Sequence, residues 1–156
     1  MADPISDHGI VGCGGAGFPA SVKLAAPVDT LIVNAAECEP LIHKDQELLA
    51  HRTDELFAGL AAAMGRIAAR RGIIGIKKKH DVLISRLAGR CPAQVTIQPL
   101  DDVYPAGDEF VLVYETTGRI IGPGGLPRDV GAVVFNVETL VNIGLDRPVT
   151  RKFLTV

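Results

Sequence analysis

The sequence predicts an α/β fold, because short apolar runs rich in β-branched residues alternate with longer segments of helical pattern. Strands separated by helical segments of ten residues or more pair in parallel, and helices then cover both faces of the sheet. Glycines and polar residues follow the apolar runs, as expected where strands end in loops. The expected architecture is a Rossmann-like open, mostly parallel sheet with helices on both faces.

Four apolar runs have the length and composition of buried strands. The first, VDTLIVNAA, is rich in β-branched residues, and GIIGIKK, QVTIQPL and AVVFNV follow it along the chain. The predicted strands cover residues 28–36, 72–78, 94–100 and 132–137, with a fifth at 149–156.

The segments between these strands have helical character. The longest is an alanine-rich amphipathic stretch for which Thr53 offers an N-cap and Gly72 a stop. Residues 109–118 have strand composition but follow a glycine turn that can open a helix, so both interpretations stay open. The predicted helices cover residues 45–71, 80–88 and 138–145.

Composition and charge exclude two classes of function. The chain has 156 residues, enough for one compact domain, and a net charge of −2, whereas general nucleic-acid binders are basic. No apolar run approaches the roughly 20 residues that a membrane-spanning helix needs. The polar start MADPISDHG is unlike a signal peptide. We therefore expect a cytoplasmic protein that binds no nucleic acid and does not insert directly into a membrane.

The three cysteines, Cys13, Cys38 and Cys91, are widely spaced and form no C-x-x-C pair. Zinc ribbons and iron–sulfur ligand runs need such spacing. The four histidines do not cluster with the acids along the chain. The sequence therefore predicts no metal site and indicates thiols that are buried or idle in a reducing compartment.

The segment GIVGCGGAGFPASVKL holds five glycines in its first nine residues, and from Gly12 to Gly17 it spells G-x-G-x-x-G. A dinucleotide-binding loop of that pattern follows a strand, but only Ile10 and Val11 precede it here. A backbone with so few side chains permits positive φ angles and close approach to a flat or anionic ligand. Lys23 could reach toward such a ligand. A glycine-rich structural turn is the alternative.

Polar motifs follow three of the predicted strands, at the sheet edge where open α/β folds bind ligands. NAAECEP (34–40) ends the first strand, YPAGDE (104–109) follows the third, and FNVETL (135–140) ends the fourth. Each motif alone is explained by capping or by a turn. Together with the glycine loop they predict a small-molecule site.

In this order, GxGGAGFPxxxK, NAxExEP, YPxGDE and NVET resemble the flavin-binding module of the complex I flavoprotein subunit. The segments VDTLIVNAAECEP, DVYPAGDE and GGLPRDVGAVVFNVET are most similar to the C subunit of the Rnf electron-transport complex and to the cobalamin reductase of propanediol utilisation. The resemblance covers nearly the whole chain, and it implies FMN held without a covalent bond and reduced by NADH.

The resemblance also implies roles for particular residues. Asn34 and Glu37 would border the isoalloxazine ring, and Glu37, the implied catalytic residue, would tune the flavin potential. Lys23 would bind toward the ring or the phosphate. Phe18 would stack on NADH, and Glu39 would help hold its adenosine portion. The other implied contacts are Gly12, Gly14, Gly15, Ala16 and Gly17 in the loop, Tyr104, Gly107, Asp108 and Glu109 on the opposite wall, and Asn136, Val137 and Thr139 around the phosphate and ribityl chain.

Three positions depart from the complex I pattern. Cys13 stands where that subunit has arginine, Ala36 replaces an acid, and Phe135 stands where an Asn-Asn pair often begins the last motif. The proteins resembled continue into a small β-rich domain and then iron–sulfur domains. We therefore expect an FMN- and NADH-binding domain over residues 1–148, with residues 149–156 beginning the β-rich domain.

These implications favour an NADH-oxidising electron-entry module that passes single electrons from FMN to an iron–sulfur domain, a corrinoid or ferredoxin. A cobalamin reductase is favoured over an Rnf-type protein. A cobalamin reductase would lie in a bacterial microcompartment, whereas an Rnf-type protein would be associated with a membrane through its partners. One alternative is a non-catalytic nucleotide-binding or interaction module that retains the fold. Another is a conventional Rossmann dehydrogenase, for which the sequence offers no positioned histidine, tyrosine or lysine for proton transfer.

Overall fold

Four parallel strands form the centre of the structure, a computed structural model that describes residues 3–154. The strands are β1 Thr30–Ala35, β2 Arg71–Lys77, β3 Val95–Leu100 and β4 Ala132–Asn136. They are arranged in the order β3-β2-β1-β4, and every neighbouring pair is parallel. The predicted α/β fold is confirmed, and each of the four internal strands lies within two residues of its predicted bounds.

Helices connect these strands. Those of the described residues are α1 Pro4–Asp7, α2 Ala20–Lys23, α3 Lys44–His51, α4 Thr53–Arg66, α5 Asp81–Ala88, α6 Glu109–Thr117 and α7 Val137–Leu145, with short 3-10 helices at Lys78–His80 and Pro127–Val130. The ambiguous segment is helical because Asp108 caps it: Oδ1 accepts hydrogen bonds from the amides of Phe110 (3.0 Å) and Val111 (3.2 Å).

Two helices, α3 and α4, occupy most of the stretch predicted to be helical over residues 45–71, and its last residue, Arg71, begins β2. Thr53 does not cap α4; its hydroxyl donates to the Leu49 carbonyl at 2.6 Å, which ties the two helices together. Gly72 does not end a helix but lies inside β2. A Cβ atom there would lie 3.1 Å from both the Met64 sulfur and a Val95 methyl group, so close packing explains this glycine.

The strand predicted over residues 149–156 does not form within residues 149–154, and residues 155 and 156 lie outside the described residues. Two backbone amides of this segment donate to other parts of the chain. The Val149 amide donates to the His8 carbonyl at 3.1 Å, and the Phe153 amide donates to a Glu138 carboxylate oxygen at 3.0 Å. In residues 3–154, no helix has the length and apolar content needed to cross a membrane.

Alternate residues of the strands face two separate hydrophobic clusters, as a pleated strand requires. Leu31 and Val33 pack in one cluster with residues of α3, α4, α5 and α7, whereas Ile32 and Val134 pack in the other with Leu112 and its neighbours in α6. Helices therefore cover both faces, and the carboxyl ends of all four strands share one edge. α7 begins directly after β4 at this edge.

Candidate functional site

A cleft of about 240 Å³ opens at the carboxyl ends of β1 and β4. Most of the residues that the motifs single out form its wall, joined by Val134 of β4. The lining residues are Gly12, Gly14, Ala16, Gly17, Phe18, Lys23, Asn34, Gly107, Glu109, Val134, Phe135, Asn136 and Thr139. Segments far apart in sequence thus converge on the edge where parallel sheets bind ligands.

The glycine loop is a narrow hairpin that closes one side of the cleft. Val11 and Pro19 form an antiparallel bridge, and the Gly12 amide donates to the Phe18 carbonyl at 2.7 Å. Gly15 and Gly17 have φ angles of 114° and 61°, and a Cβ atom on either would meet no atom within 4 Å. The positive φ angles favour glycine at these positions, and the absence of side chains leaves the outer surface of the loop open to a ligand.

The loop is held against the first turn of α7. The Cys13 amide donates to Thr139 Oγ1 at 2.9 Å. Burial, and secondly the charge of Glu138, raise the pKa of the Cys13 thiol. The residue that replaces the arginine of the complex I pattern therefore adds no charge to the loop.

Asn136 caps α7 at the end of the cleft. Its Oδ1 accepts from the Glu138 amide at 3.0 Å, and its Nδ2 donates to Asp45 Oδ2 at 2.7 Å. The nine-residue helix directs its positive dipole end and its first amides toward this region. An anionic group is stabilised at such a helix terminus.

Lys23 supplies a cation to the lining of the cleft. Its Nζ donates to the Val134 carbonyl at 2.9 Å and to Glu109 Oε1 at 3.3 Å, and it lies 5.7 Å from the centre of the Phe135 ring. Val134 is on the edge strand β4, so Lys23 satisfies a carbonyl that has no neighbouring strand to bond. The lysine is thereby held across the cleft floor.

Two hydrogen bonds tie the 104–109 loop to Asn34 at the end of β1 and to Cys38 beyond it. Asn34 Nδ2 donates to the Gly107 carbonyl at 2.8 Å, and the Gly107 amide donates to the Cys38 sulfur at 2.8 Å. A Cβ atom on Gly107 would lie 3.0 Å from that sulfur, so the loop approaches β1 closely only because this residue is glycine. These contacts fix the wall opposite the glycine loop.

Glu37 is not among the described residues that line the cleft. Its φ of 42° is unusual for a residue with a side chain, and its Oε1 accepts from the Asp45 amide at 2.8 Å. Glu39 and Tyr104 are exposed, Asp108 caps α6, and Val137 is buried in the core. Together with Gly15, these residues are outside the lining that the described residues form.

A buried charged layer of Lys44, Asp45 and Glu138 lies beside the cleft, and of these three residues only Glu138 belongs to a sequence motif, FNVETL. Asp45 is 4% exposed and Glu138 is 1% exposed. Lys44 Nζ lies 3.0 Å from Glu138 Oε2 and 3.7 Å from Asp45 Oδ1. Burial raises the pKa of Asp45 to about 6. The sequence signal for this layer is the adjacent pair Lys44 and Asp45, which lies three residues beyond the NAAECEP motif at the start of the stretch predicted to be helical.

Comparison with known proteins places this architecture among flavoproteins. The family model described as the Nuo51 FMN-binding domain matches residues 5–145. Cobalamin reductase PduS of Citrobacter freundii is 49% identical over 152 residues, covering 95% of this chain and 34% of the relative. The C subunit of the Na(+)-translocating ferredoxin:NAD(+) oxidoreductase complex of Acetobacterium woodii is 36% identical over 161 residues, covering 97% of this chain and 36% of the relative.

Among solved structures, an NAD+-reducing NiFe hydrogenase in the H2-reduced state superposes with a TM-score of 0.75 at 32% sequence identity. The match covers 92% of this chain and 29% of the hydrogenase chain. The chain spans about a third of the length of the curated relatives it matches.

Proposed function

Because the chain belongs to the Nuo51 FMN-binding domain family, we propose that it is an NADH-oxidising, FMN-binding electron-entry module of a flavin and iron–sulfur oxidoreductase. The observation that carries the proposal is the cleft, where a bare glycine loop, a capped helix N-terminus and one lysine converge. This combination suits a ligand that is flat at one end and anionic at the other.

The phosphate and ribityl chain of FMN fit the start of α7. Asn136 and Thr139 present polar side chains there, Val137 begins the helix, and backbone amides of its first turn are free of helical partners. Thr139 Oγ1 already accepts one hydrogen bond and keeps its hydroxyl proton to donate. Lys23 adds a charge-assisted donor.

The isoalloxazine ring fits between the glycine loop and the wall formed by Asn34 and Gly107. The open surface at Gly15 and Gly17 allows a planar ring to approach the backbone without meeting a side chain. Glu37, three residues beyond Asn34 in the chain, would act on the ring through its charge. The remaining proposed ring and nucleotide contacts are Gly12, Gly14, Ala16, Tyr104, Asp108 and Glu109.

NADH would bind across the mouth of the cleft. Phe18 lines the cleft and is 46% exposed, which leaves an aromatic face for stacking. Glu39, in the NAAECEP motif, is exposed and would accept hydrogen bonds from the adenosine portion of NADH. When bound, FMN supplies the chemistry, accepting hydride from NADH and releasing single electrons. The chain's residues orient the two ring systems and set the local electrostatics, and the hydride step needs no protein acid or base.

Cobalamin reductase is the favoured parent activity, because the sequence identity of 49% to the PduS relative exceeds the 36% to the Rnf-type relative. Electrons would then pass through iron–sulfur centres, in further domains or partners, to a corrinoid. The parent protein would be cytoplasmic or enclosed in a microcompartment. An Rnf-type parent would instead deliver electrons to or from ferredoxin, in association with a membrane complex.

The visible absorption spectrum of the chain, recorded with FMN and then with NADH, tests this proposal. We expect bound flavin bands that bleach when NADH is added. A chain that binds neither FMN nor NADH would support the non-catalytic alternative, and a chain that binds NADH without flavin would point to a dehydrogenase. Assays of the parent protein with cob(III)alamin and with ferredoxin separate the two acceptors.

A further inference from the structure

The side-chain amide of Asn136, which lines the cleft, is held from two sides. Its Oδ1 accepts from the Glu138 amide at 3.0 Å, and its Nδ2 donates to Asp45 Oδ2 at 2.7 Å. An asparagine amide has two orientations, related by a half turn that exchanges its oxygen and its nitrogen. Only one of them satisfies both contacts here, because a backbone amide only donates and an ionised carboxylate only accepts.

Asp45 is a buried and well-anchored acceptor for this contact. Its backbone amide donates to Glu37 Oε1 at 2.8 Å, and Lys44 Nζ lies 3.7 Å from Oδ1, the oxygen that does not bond to Asn136. The same ammonium group lies 3.0 Å from Glu138 Oε2. Lys44 therefore offsets part of the cost of burying the carboxylate that meets Asn136.

The fixed orientation leaves one N–H of Asn136 for a ligand. The side-chain amide carries two N–H groups, and among residues 3–154 only Asp45 accepts from them. The phosphate and the ribityl hydroxyls of FMN are acceptors, so this N–H adds a donor to the backbone amides at the start of α7. With the amide reversed, the oxygen would face the Asp45 carboxylate and α7 would lose its cap.

We propose that Asp45 is a positioning residue for the flavin site: its carboxylate fixes the Asn136 amide in the orientation that caps α7 and keeps one N–H available to FMN. Asp45 is not among the described residues that line the cleft, so it acts through Asn136. This inference rests on the proposed function for its ligand, whereas the orientation of the amide is a property of the chain without flavin.

The first test records the side-chain amide resonances of Asn136 by 15N NMR in the flavin-free chain, and Asn136→Ser assigns them by removing them. At about pH 8 the Asp45 carboxyl is ionised, since burial raises its pKa only to about 6. We expect one of the two amide protons to be shifted downfield and protected from exchange by the bond to Asp45. Asp45→Ala should abolish both effects, and Asp54→Ala, at an exposed acid in the first turn of α4, should leave them unchanged. Unchanged Asn136 resonances in Asp45→Ala would overturn the proposal.

The second test measures the FMN affinity of the same variants by quenching of flavin fluorescence, under conditions in which circular dichroism shows that each variant is folded. Asp45→Ala should bind FMN about tenfold more weakly than the wild type, the value of one hydrogen bond, and Asp54→Ala should bind it as the wild type does. Asp45→Asn removes the charge but keeps an acceptor oxygen, so it should recover most of the affinity. An Asp45→Ala variant that binds FMN as tightly as the wild type, or more tightly, would overturn the proposal.

A double variant separates this role from a general structural one. Asn136→Ser keeps a hydroxyl that can cap α7 but removes the amide. Because Asp45 is proposed to act through Asn136, adding Asp45→Ala to Asn136→Ser should cause no further loss of FMN affinity. Losses that multiply in the double variant would overturn the proposal. A wild type that binds no FMN would instead refute the proposed function, while the NMR comparison still decides whether Asp45 orients Asn136.

Discussion

Gly59 of α4 lies directly against the backbone of Leu140 in α7: a Cβ atom on Gly59 would be 1.9 Å from the Leu140 carbonyl oxygen. The contact is reciprocal, because a Cβ atom on Gly144 would be 1.9 Å from the Glu55 carbonyl oxygen. The two helices therefore meet backbone to backbone through one glycine each. Since α7 carries the proposed phosphate end of the cleft, this packing also sets where the helix N-terminus lies.

Replacing Gly59 with alanine should strongly destabilise the chain. The added methyl group meets backbone atoms, which cannot rotate away, so the helices must separate; we expect a loss of about 3 kcal/mol in the free energy of unfolding. The control is Gly65→Ala at the end of the same helix, where a Cβ atom meets nothing within 4 Å. That variant should be unchanged or up to about 1 kcal/mol more stable. Urea unfolding of both variants checks the prediction, and equal stabilities would contradict it.

The hydroxyl of Thr139 should matter for flavin affinity because it anchors the glycine loop. Thr139→Val keeps the shape but leaves the Cys13 amide without its acceptor, so the loop loses its tie to α7. We expect FMN affinity to fall by about tenfold, the value of one hydrogen bond of about 1.4 kcal/mol. Thr139→Ser keeps the hydroxyl and should bind nearly as the wild type does. Fluorescence titration measures both, and a Val variant that binds FMN as tightly as the wild type would show that the hydroxyl does not contribute.

Much of the fold could be predicted because its signals are local. The apolar runs 28–36 and 132–137 identified β1 and β4, and the motifs at their ends identified most of the cleft wall. The resemblance to complex I, Rnf and cobalamin reductase families is confirmed by the family match and the relatives. The proposed roles of the site residues remain predictions.

The features that sequence reasoning missed depend on contacts between distant segments. Gly72 looked like a helix stop, but Met64 and Val95 leave no room for a side chain at that position. The helical pattern placed Asp45 at the start of a helix without indicating its burial, which depends on α7 packing against α3 and on Asn136 as its hydrogen-bond partner. Residues 149–156 were predicted as a strand, but within the described part, residues 149–154, the Phe153 amide bonds to a side chain of α7 and the Val149 amide to the His8 carbonyl.

Removing the charge of Glu37 should raise the reduction potential of bound flavin. A carboxylate close to the ring disfavours additional electrons, and Glu37→Gln keeps an oxygen to accept the Asp45 amide hydrogen bond. We expect a rise of tens of millivolts in a redox titration at about pH 8, since about 30 mV corresponds to 1.4 kcal/mol for a two-electron couple. The control is Glu47→Gln, an exposed acid on α3. An unchanged potential in Glu37→Gln would count against an electrostatic role.

Acid should weaken the ion pairs around Asp102. Lys77 first, and then Lys79, hold the pKa of this carboxyl at about 2, below its ordinary value of 3.8. A lowered pKa contributes stability that is present above pH 3.8 and is lost as the pH falls through 2. Asp102→Asn should therefore be less stable than the wild type at pH 7, and the difference should disappear toward pH 2. Thermal unfolding at a series of pH values tests this, and a difference that does not change with pH would refute it.

Lys23 should contribute more to flavin binding than to folding. Its ammonium group spans the cleft floor between the Val134 carbonyl and Glu109, so Lys23→Met removes the cation that the proposed ligand meets. A charge-assisted hydrogen bond contributes about 1.5–3 kcal/mol, so FMN affinity should fall by at least tenfold, and the salt dependence of binding should become weaker. The matched control is Lys79→Met, an exposed lysine paired with Asp102 away from the cleft. The Val134 carbonyl also loses its donor, so the Lys23 variant should unfold slightly more easily. FMN affinity is therefore measured under conditions in which circular dichroism shows that the variant is folded. Equal FMN affinity in the two variants would show that Lys23 does not contribute to FMN binding.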